Sequence, residues 1–345
     1  MSNYVSLSTA EAVIRNSFKE FSSSLAKKPA VILRGAPGCA KSALPVALAK
    51  ELGCDLWQVH GVAHEGVELL GIPLVNKGKQ SRAMTDLLPV ATDFNGFLVI
   101  EEYGNCDATF RKGVHHLILD RKLSSGYEVP DGAMIIVTTN SPDDQTGAVA
   151  LEPTIMSRAY VFDLQHDSET WVNYQVSRGG NPLVLAWIKQ KPEAIYCKPK
   201  QKGESFPNYR TWEMASSALN LFPCDPGLYE PMIRGALGAE HAREFLEFLR
   251  LREHMIPLSE VATHPDKCEI PSRTDIAYLM IYSLNTATLS GTVSMTDATK
   301  YIKRFPMEFR QVWVSLVKGD SRATNPVFTK LCVDNGMTIF KSGVY

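Results

Sequence analysis

The chain has 345 residues, enough for two or three packed domains, and its 45% hydrophobic and 21% charged residues exclude an intrinsically disordered protein. A formal net charge of −1 excludes an overall attraction to nucleic acid or anionic membranes, although it leaves room for a local basic surface. No apolar run approaches the ~20 residues that span a bilayer, and the first residues lack the layout of a signal peptide.

The first half of the chain alternates helices with short apolar runs. Residues 11–26 predict an amphipathic helix, because apolar side chains recur at steps of four, three and four. Two further helices are predicted over 42–52 and 108–121. Runs rich in Val and Ile that alternate with helices are typical of buried parallel strands in an α/β fold. They predict a five-stranded parallel sheet, with strands at 30–33, 56–59, 97–100, 134–137 and 160–164.

The strand signal fades after about residue 163, and the rest of the chain is predicted to be helices separated by proline- or glycine-containing turns. We therefore expect an α/β domain at 1–164, a helical domain at 165–262 and a helical extension at 263–345. The stretch from 189 to 204 holds five lysines and two prolines, which predicts an exposed loop. The predicted helical segments are 168–178, 181–190, 211–221, 240–255, 274–289 and 297–317.

A glycine-containing loop joins the first predicted strand to the next predicted helix. Its residues are Gly35, Ala36, Pro37, Gly38, Cys39, Ala40, Lys41 and Ser42. Such a loop wraps backbone N–H groups around phosphate oxygens, and the helix N-terminus adds its dipole. Lys41 is expected to reach the β- and γ-phosphates of ATP, and the Ser42 hydroxyl to bind Mg²⁺. Ala40 stands where glycine is usual, and alanine fits there if its backbone is close to helical.

Two acids, Glu101 and Glu102, end the apolar run that begins at Phe97, and the first of them lies 60 residues after the loop lysine. A strand end beside a phosphate loop is where hydrolysis needs one acid for the metal and one for the attacking water. We assign Glu101 to Mg²⁺, through water, and Glu102 to activation of the water. The alternative is a pair of acids that only begins a solvated turn.

Asn140 ends the following predicted strand. A side-chain amide placed between the γ-phosphate and Glu102 orients the attacking water. The alternative is ordinary turn chemistry, since Ser141 and Pro142 come next.

Arg158 comes directly before the last predicted strand. In a ring this place faces the nucleotide of a neighbouring subunit, where a guanidinium stabilises the charge that develops on the γ-phosphate. The alternative is an arginine in a surface ion pair.

Together these motifs resemble the MoxR branch of the AAA+ ATPases, in which alanine before the loop lysine is common. The resemblance covers about 30–220 well and 220–345 only loosely. Two segments are similar to the lid of that family, one from Asp167 to Trp171 and one from Phe206 to Trp212. The other matching stretches are Glu68-Leu-Leu-Gly-Ile-Pro, Leu87-Leu-Pro, Leu119-Asp-Arg-Lys-Leu, Tyr127-Glu-Val-Pro-Asp-Gly, Asn140-Ser-Pro and Met156-Ser-Arg158.

The resemblance implies an AAA+ P-loop core over 1–164 and an α-helical lid over 165–262. It implies that Arg210 serves as sensor 2, contacting the γ-phosphate from the lid. It also implies a homo-oligomeric ring, generally a hexamer, with ATP and Mg²⁺ at subunit interfaces. Family members often act beside a partner that carries a von Willebrand factor A domain, in remodelling or metal insertion. The sequence departs from the family at Glu101, where aspartate is commoner, and at Gly104-Asn105, where Asn-Arg is common.

The family also carries an insert within helix 2 and a hairpin before the sensor-1 strand, and these correspond to 71–88 and 122–132. Three basic residues of the first insert are candidates for central-pore contacts: Lys77, Lys79 and Arg82. A solvated basic loop is the alternative. We expect the lysine-rich stretch at 189–202 to be a surface loop, not a nucleic-acid patch.

Three functions stay open at this point. The leading one is an ATPase that remodels a protein partner. The second is a nucleic-acid-directed NTPase of the McrB type, and the third is a ring scaffold that binds nucleotide with little turnover. Seven scattered cysteines without a Cys-x-x-Cys pair favour reduced thiols and a cytoplasmic location, and we expect no membrane or nucleic-acid partner.

Overall fold

A computed structural model describes residues 4–22, 29–77, 79–144, 147–200, 203–318 and 320–337. The chain forms two compact units. The first runs to Asp167 and includes the segment that begins at Lys198. The second begins at Ser168, is interrupted by that segment and continues from Gly203. The predicted boundary near residue 262 falls inside the second unit, and the three-region division stays a prediction.

The first unit is built on a parallel sheet of six strands in the order β1-β8-β2-β7-β6-β3. The five predicted strands are all present, each one to two residues longer than its apolar run. The sixth, β1, is a two-residue strand that pairs with the edge strand β8, and so short a strand carries no apolar run to predict it. The sheet strands are β1 Tyr4–Val5, β2 Ala30–Arg34, β3 Asp55–His60, β6 Gly96–Glu101, β7 Met134–Thr139 and β8 Ala159–Leu164.

Helices cover both faces of this sheet, as a buried parallel sheet requires. On one face Phe18 of the first helix packs against Phe97, with the two rings tilted and their centroids 4.9 Å apart. On the other face Phe110 and Val114 of the fourth helix pack into a core with Leu98 and Ile100. The first helix begins earlier than predicted because the Ser6 hydroxyl accepts the N–H of Thr9, and its predicted end at 23–26 lies outside the described residues. The helices of this unit are α1 Leu7–Ser22, α2 Ala43–Leu52, α3 Gly66–Leu70, α4 Ala108–Leu119 and α5 Pro153–Met156.

Two segments that the sequence resemblance assigned to inserts contain local β structure. An antiparallel hairpin, β4 Pro73–Asn76 with β5 Lys79–Arg82, occupies the first. In the second, Lys122 bridges to Glu128, and the Lys122 ammonium lies 2.6 Å from the carboxylate.

The second unit is helical in its described part. Three of its helices were not predicted: α9, α11 and α15. The helix predicted over 297–317 is two helices, α13 and α14, because Pro306 lacks the N–H that a continuous helix needs and instead begins α14. The helices are α6 Ser168–Ser177, α7 Pro182–Gln190, α8 Tyr209–Leu221, α9 Pro226–Leu237, α10 Ala239–Leu249, α11 Leu258–Thr263, α12 Thr274–Leu289, α13 Met295–Ile302, α14 Met307–Val317 and α15 Pro326–Asp334.

The core of the second unit has an aromatic centre. Trp212 is 1% exposed, its indole N–H donates to the Ala194 carbonyl at 2.8 Å, and its ring meets Phe245 edge-on. The helix α12 is buried between α7 and α14 and is apolar around most of its surface. Even so, none of the helices in the described ranges has the length and apolar character to cross a membrane.

Candidate functional site

The phosphate loop leaves β2 at Gly35 and enters α2 at Ala43. The Lys41 side chain folds into the loop, and its ammonium donates to the carbonyls of Gly35 at 2.8 Å and Ala36 at 2.6 Å. Lys41 is 9% exposed. An ammonium at the centre of a loop that can wrap phosphate is placed to meet the charge of a nucleotide after a small side-chain rotation.

Two residues of the loop have left-handed backbones, Gly38 at φ 79° and Ala40 at φ 64°. Glycine adopts this conformation freely, whereas an alanine Cβ is strained there by roughly 1–2 kcal/mol. The condition under which alanine fits comfortably, a near-helical backbone, is therefore not met at Ala40. The loop must turn sharply between the buried Cys39 and the start of α2, so Ala40 carries strain where glycine would carry none.

The side chains next to the lysine suit a nucleotide and its metal. The Ser42 hydroxyl makes no capping bond to α2, so its oxygen is available to a cation, and Mg²⁺ prefers oxygen ligands. The Cys39 sulfur lies 3.7 Å from the Lys41 ammonium. Burial raises the pKa of the Cys39 thiol, while Lys41 acts in the opposite direction. Cys39 is thus a small neutral residue that lets the loop close.

Glu101 ends β6 and is 6% exposed. Side chains alternate along a strand, so Glu101 faces the same side of the sheet as Phe97, the side covered by α1. Its carboxylate accepts from Gln58 at 3.1 Å and lies 2.7 Å from the His60 ring nitrogen. His60 is the register partner of Glu101 on β3. These two partners were missed at the sequence level, although the alternation of Gln58 and His60 at a strand end was visible.

Glu102 is exposed and has a left-handed backbone, with φ 57°. Three hydrogen bonds hold this turn. The Glu102 N–H donates to the Thr138 hydroxyl at 3.3 Å, and the Glu102 carbonyl accepts from the Asn105 N–H at 2.8 Å and from the Cys106 thiol at 3.4 Å. Burial raises the pKa of Cys106 to about 11, so its thiol stays protonated as a donor. Strained backbone held this firmly is commonest at functional sites.

Asn140 follows β7, the strand between the phosphate-loop strand and the acidic strand. The carbonyl of Thr139 accepts the N–H of Gly35 at 3.2 Å, which ties the start of the loop to the end of β7. Parallel strands end at the same edge of a sheet, so the loop, Asn140 and the acidic pair share one edge. Asn140 is half-buried there.

Three ionisable residues near the loop were not singled out from the sequence as site residues. Asp144 is 5% exposed and accepts the Ser141 N–H at 3.2 Å. His166 follows β8 and lies within electrostatic reach of Asp144, Lys41 and Lys198. Lys198 belongs to the lysine-rich stretch that was predicted to be a surface loop, and it is exposed, but it is part of the first unit. Only the folding of a distant segment onto this unit brings Lys198 there.

Arg158 is exposed at the start of β8. Its guanidinium donates to the Thr154 carbonyl and the Ser157 hydroxyl, both at 3.2 Å. Within the described ranges no carboxylate forms an ion pair with it. The ion-pair alternative therefore finds no support in this part of the chain.

The remaining predicted residues lie elsewhere. Arg210 belongs to the second unit, where it is exposed in the first turn of α8. The turn of α8 is ordered by Asn208, whose side chain accepts the N–H groups of Arg210 and Thr211. Lys77 and Lys79 are exposed on the β4–β5 hairpin, and Arg82 donates to the Gly71 carbonyl at 2.9 Å.

Comparison with known proteins finds no protein-family model and no curated protein that matches the sequence. Solved structures do resemble the chain. A variant of RuvB from Thermotoga maritima matches with a TM-score of 0.37 and 12% identity, over 97% of this chain and 83% of that one. NtrX from Brucella abortus matches with a TM-score of 0.32 and 12% identity, over 88% and 68%. At such scores these likenesses carry no functional conclusion.

The fold class itself follows from the geometry above. The first unit has a parallel sheet, a phosphate loop between β2 and α2, and an acidic strand one place removed from the loop strand, and a helical unit follows it. This is an α/β fold with a phosphate loop, and the AAA+ assignment belongs to the proposal below. The predicted α/β fold class is confirmed, with six strands instead of five. Membership of the MoxR branch stays a hypothesis.

Proposed function

We propose that this chain is a Mg²⁺-dependent AAA+ ATPase that works as a homo-oligomeric ring in the cytoplasm and remodels a protein partner. The observation that carries the proposal is the position of the Lys41 ammonium inside the phosphate loop, on the sheet edge where the acidic pair also ends. Binding groups for phosphate and groups for hydrolysis are both required by an ATPase, and one edge supplies both.

The loop residues would bind ATP. Backbone N–H groups between Gly35 and Ser42 surround the phosphates, and Lys41 exchanges its carbonyl partners for phosphate oxygens. Ser42 and Glu101 would hold Mg²⁺, the latter through water, since Gln58 and His60 already occupy its carboxylate oxygens. Bound Mg²⁺ neutralises charge on the β- and γ-phosphates.

Glu102 would take the proton of the attacking water, and Asn140 would orient that water. A general base must be exposed toward its substrate and fixed in direction. Glu102 is exposed, and its backbone is held by Thr138, Asn105 and Cys106. Since no reorganisation of the turn is needed at the moment of reaction, the barrier is lowered by positioning.

Arg158 would act on the nucleotide of a neighbouring subunit. It stands one residue before Ala159, which is in register with Ala30 at the start of β2, while the phosphate loop follows the end of β2. The five residues of β2 span about 17 Å between the end of the sheet near Arg158 and the end that carries the phosphate loop. This distance is more than an arginine side chain spans. Met156 and Tyr160, two residues before and after Arg158, are 44% and 57% exposed, so the surface around Arg158 is open to a neighbouring subunit.

The helical unit would act as the lid. We assign Arg210 to sensor 2, on the basis of its resemblance to the Pro-x-x-Arg-x-Trp-like stretch of the MoxR family. A hexamer and a partner with a von Willebrand factor A domain are proposed on the same basis. Stimulation of ATP turnover by such a partner, encoded beside this gene, would support the remodelling role, and a purified partner without effect would argue against it.

The variant Glu102→Gln tests the hydrolytic role. It keeps size and hydrogen bonding but removes the base, so we expect ATP binding to persist while turnover falls by about 10²–10⁴-fold. Glu247→Gln, an exposed change in α10, is the matched control and should keep wild-type turnover. An already negligible wild-type rate that the substitution leaves unchanged would identify a scaffold. GTP turnover above ATP turnover would favour the McrB-type alternative.

Mixing two inactive variants tests the trans role of Arg158. An Arg158→Ala subunit retains Glu102, and a Glu102→Gln subunit retains Arg158. In mixed rings some interfaces combine the two intact groups, so activity should reappear. If mixed rings stay as inactive as the separate variants, Arg158 does not act across an interface.

A further inference from the structure

The turn after Glu102 contains a buried tyrosine. Tyr103 is 1% exposed, and its hydroxyl donates to the Glu152 carboxylate at 2.7 Å. Burial raises the pKa of Tyr103 well above its usual range, so its hydroxyl stays protonated and remains a donor at any physiological pH. Tyr103 therefore holds a carboxylate that lies 49 residues away in the sequence.

Glu152 stands at the beginning of the segment that ends in Arg158. It precedes α5, and its carbonyl accepts the N–H groups of Ile155 at 3.0 Å and Met156 at 3.2 Å. The N–H of Arg158 in turn donates to the Ile155 carbonyl at 2.9 Å. The path from Glu152 to Arg158 is thus one continuous hydrogen-bonded turn.

A second attachment runs beside the first. The Gly104 carbonyl accepts the N–H of Val149 at 2.9 Å, and the Gly104 N–H donates to the Thr139 hydroxyl at 3.2 Å. A Cβ at position 104 would lie 2.6 Å from that hydroxyl and 2.9 Å from the Ala148 Cβ. This close fit leaves no room for a side chain at position 104, so glycine is required there.

We propose that the Tyr103–Glu152 hydrogen bond transmits the state of one nucleotide site to the next, by linking the Glu102 turn to the α5 segment that presents Arg158. Tyr103 is then a positioning residue and not a catalytic one. The inference rests on the proposed function, because it needs Glu102 and Arg158 to serve different sites of a ring. Coupling between two sites requires a structural element whose conformation both sites influence. The turn at Tyr103 directly follows Glu102, and through Glu152 it anchors the segment that ends at Arg158.

Subunit doping tests the proposal with the full-length protein. Rings are co-expressed with increasing fractions of Glu102→Gln subunits, and ATP turnover is plotted against that fraction. Uncoupled sites give a straight line, whereas coupled sites give a steeper fall, since coupling is typically worth 5–150-fold in affinity. We expect a steep curve for the wild type and a straight line when every subunit also carries Tyr103→Phe, which removes only the hydroxyl.

A matched control separates coupling from general loosening. Tyr127 is also buried, at 2% exposed, and its hydroxyl donates to the Pro89 carbonyl at 3.0 Å. Rings with Tyr127→Phe should keep the steep curve. A linear wild-type curve, an equally steep Tyr103→Phe curve or a straightened Tyr127→Phe curve would each overturn the proposal. Undoped rings with no ATP turnover would refute the proposed function itself.

A second variant covers the case in which Tyr103→Phe fails to fold. Glu152 is on the surface, with its side chain 47% exposed, and Arg111 lies 4.0 Å from its carboxylate. Glu152→Ala should straighten the doping curve as Tyr103→Phe does. Glu152→Gln keeps an oxygen that accepts from the tyrosine hydroxyl and should restore the steep curve. Identical curves for the two Glu152 variants would contradict the role of this hydrogen bond.

Discussion

Left-handed backbone at non-glycine residues marks both halves of the candidate site. Ala40 at φ 64° bends the phosphate loop, and Glu102 at φ 57° turns the chain after the acidic strand. Each costs of order 1–3 kcal/mol, and each is held by surrounding hydrogen bonds. The left-handed conformation at these two residues turns the chain directly before Lys41 and at Glu102.

Ala40→Gly should stabilise the protein slightly. It relieves roughly 1–2 kcal/mol of left-handed strain but adds roughly 0.4–1 kcal/mol of unfolded-chain entropy, so strain relief wins by about 1 kcal/mol or less. Urea unfolding measures the difference. The control Ala47→Gly, exposed within α2, should instead cost about 1 kcal/mol. A loss of stability in Ala40→Gly would show that the alanine is not strained.

His166 should make folding stability depend on pH. The His166 side chain is partly open to solvent, so the effect is small: desolvation beside the loop lowers its pKa below the usual 6.5, Lys41 and Lys198 lower it further, and Asp144 opposes them. Between the folded value and 6.5 the unfolded chain binds more protons, so the free energy of unfolding decreases as pH falls from 6.5 into that window. Above 6.5 the effect vanishes.

Urea unfolding between pH 5 and 7.5 measures this slope. His166→Gln should flatten it, because the substituted side chain does not titrate. His254→Gln, at an exposed histidine of the second unit, is the control and should keep the wild-type slope. An unchanged slope in His166→Gln would contradict the assignment.

At the scale of elements, the seam between β3 and β6 positions the acidic pair. It begins with Asp55 beside Gly96 and ends with His60 beside Glu101. A Cβ on Gly96 would lie 1.9 Å from the Asp55 carbonyl oxygen, so the two strands can approach only if this residue is glycine.

Gly96→Ala should therefore force β3 and β6 apart at this position and lower the free energy of unfolding by about 1–3 kcal/mol or more. Gly235→Ala makes the same chemical change on the exposed side of α9, where nothing lies within 4 Å of the added Cβ. That control should gain about 0.5–1 kcal/mol, because alanine favours a helix. Chemical denaturation followed by circular dichroism compares them, and a Gly96→Ala protein as stable as the wild type would refute the close approach.

At the scale of the whole molecule, the proposed ATPase needs more than one copy of the chain. Arg158 directly precedes β8, at the opposite end of the strands from the phosphate loop of its own subunit, and the apolar residues Met156 and Tyr160 near it are exposed. A subunit alone would then bind ATP with most of its machinery and lack one group. ATP turnover per subunit should therefore depend on assembly of the ring. Mixed rings of the Arg158 and Glu102 variants test this dependence.

The sequence by itself predicted the α/β core, because buried strands and phosphate loops depend on local patterns. The runs of β2, β6 and β7, the loop at 35–42 and the acids at 101 and 102 could each be identified within a few residues. The family resemblance placed an insert, not specifically a hairpin, at 71–88, and the structure has the β4–β5 hairpin there. The roles of the site residues stay predictions.

Other features depend on contacts between distant segments. The strand β1 is a strand only because it pairs with β8. The break before Pro306 separates α13 from α14, which the helical periodicity of the sequence had joined into one predicted helix. The partners of Glu101 come from β3, Tyr103 meets Glu152 across 49 residues, and Lys198 belongs to the first unit. Local sequence determined which chemical groups the site could contain. Tertiary structure decided which of them meet, because long-range packing brings together residues that no short pattern relates.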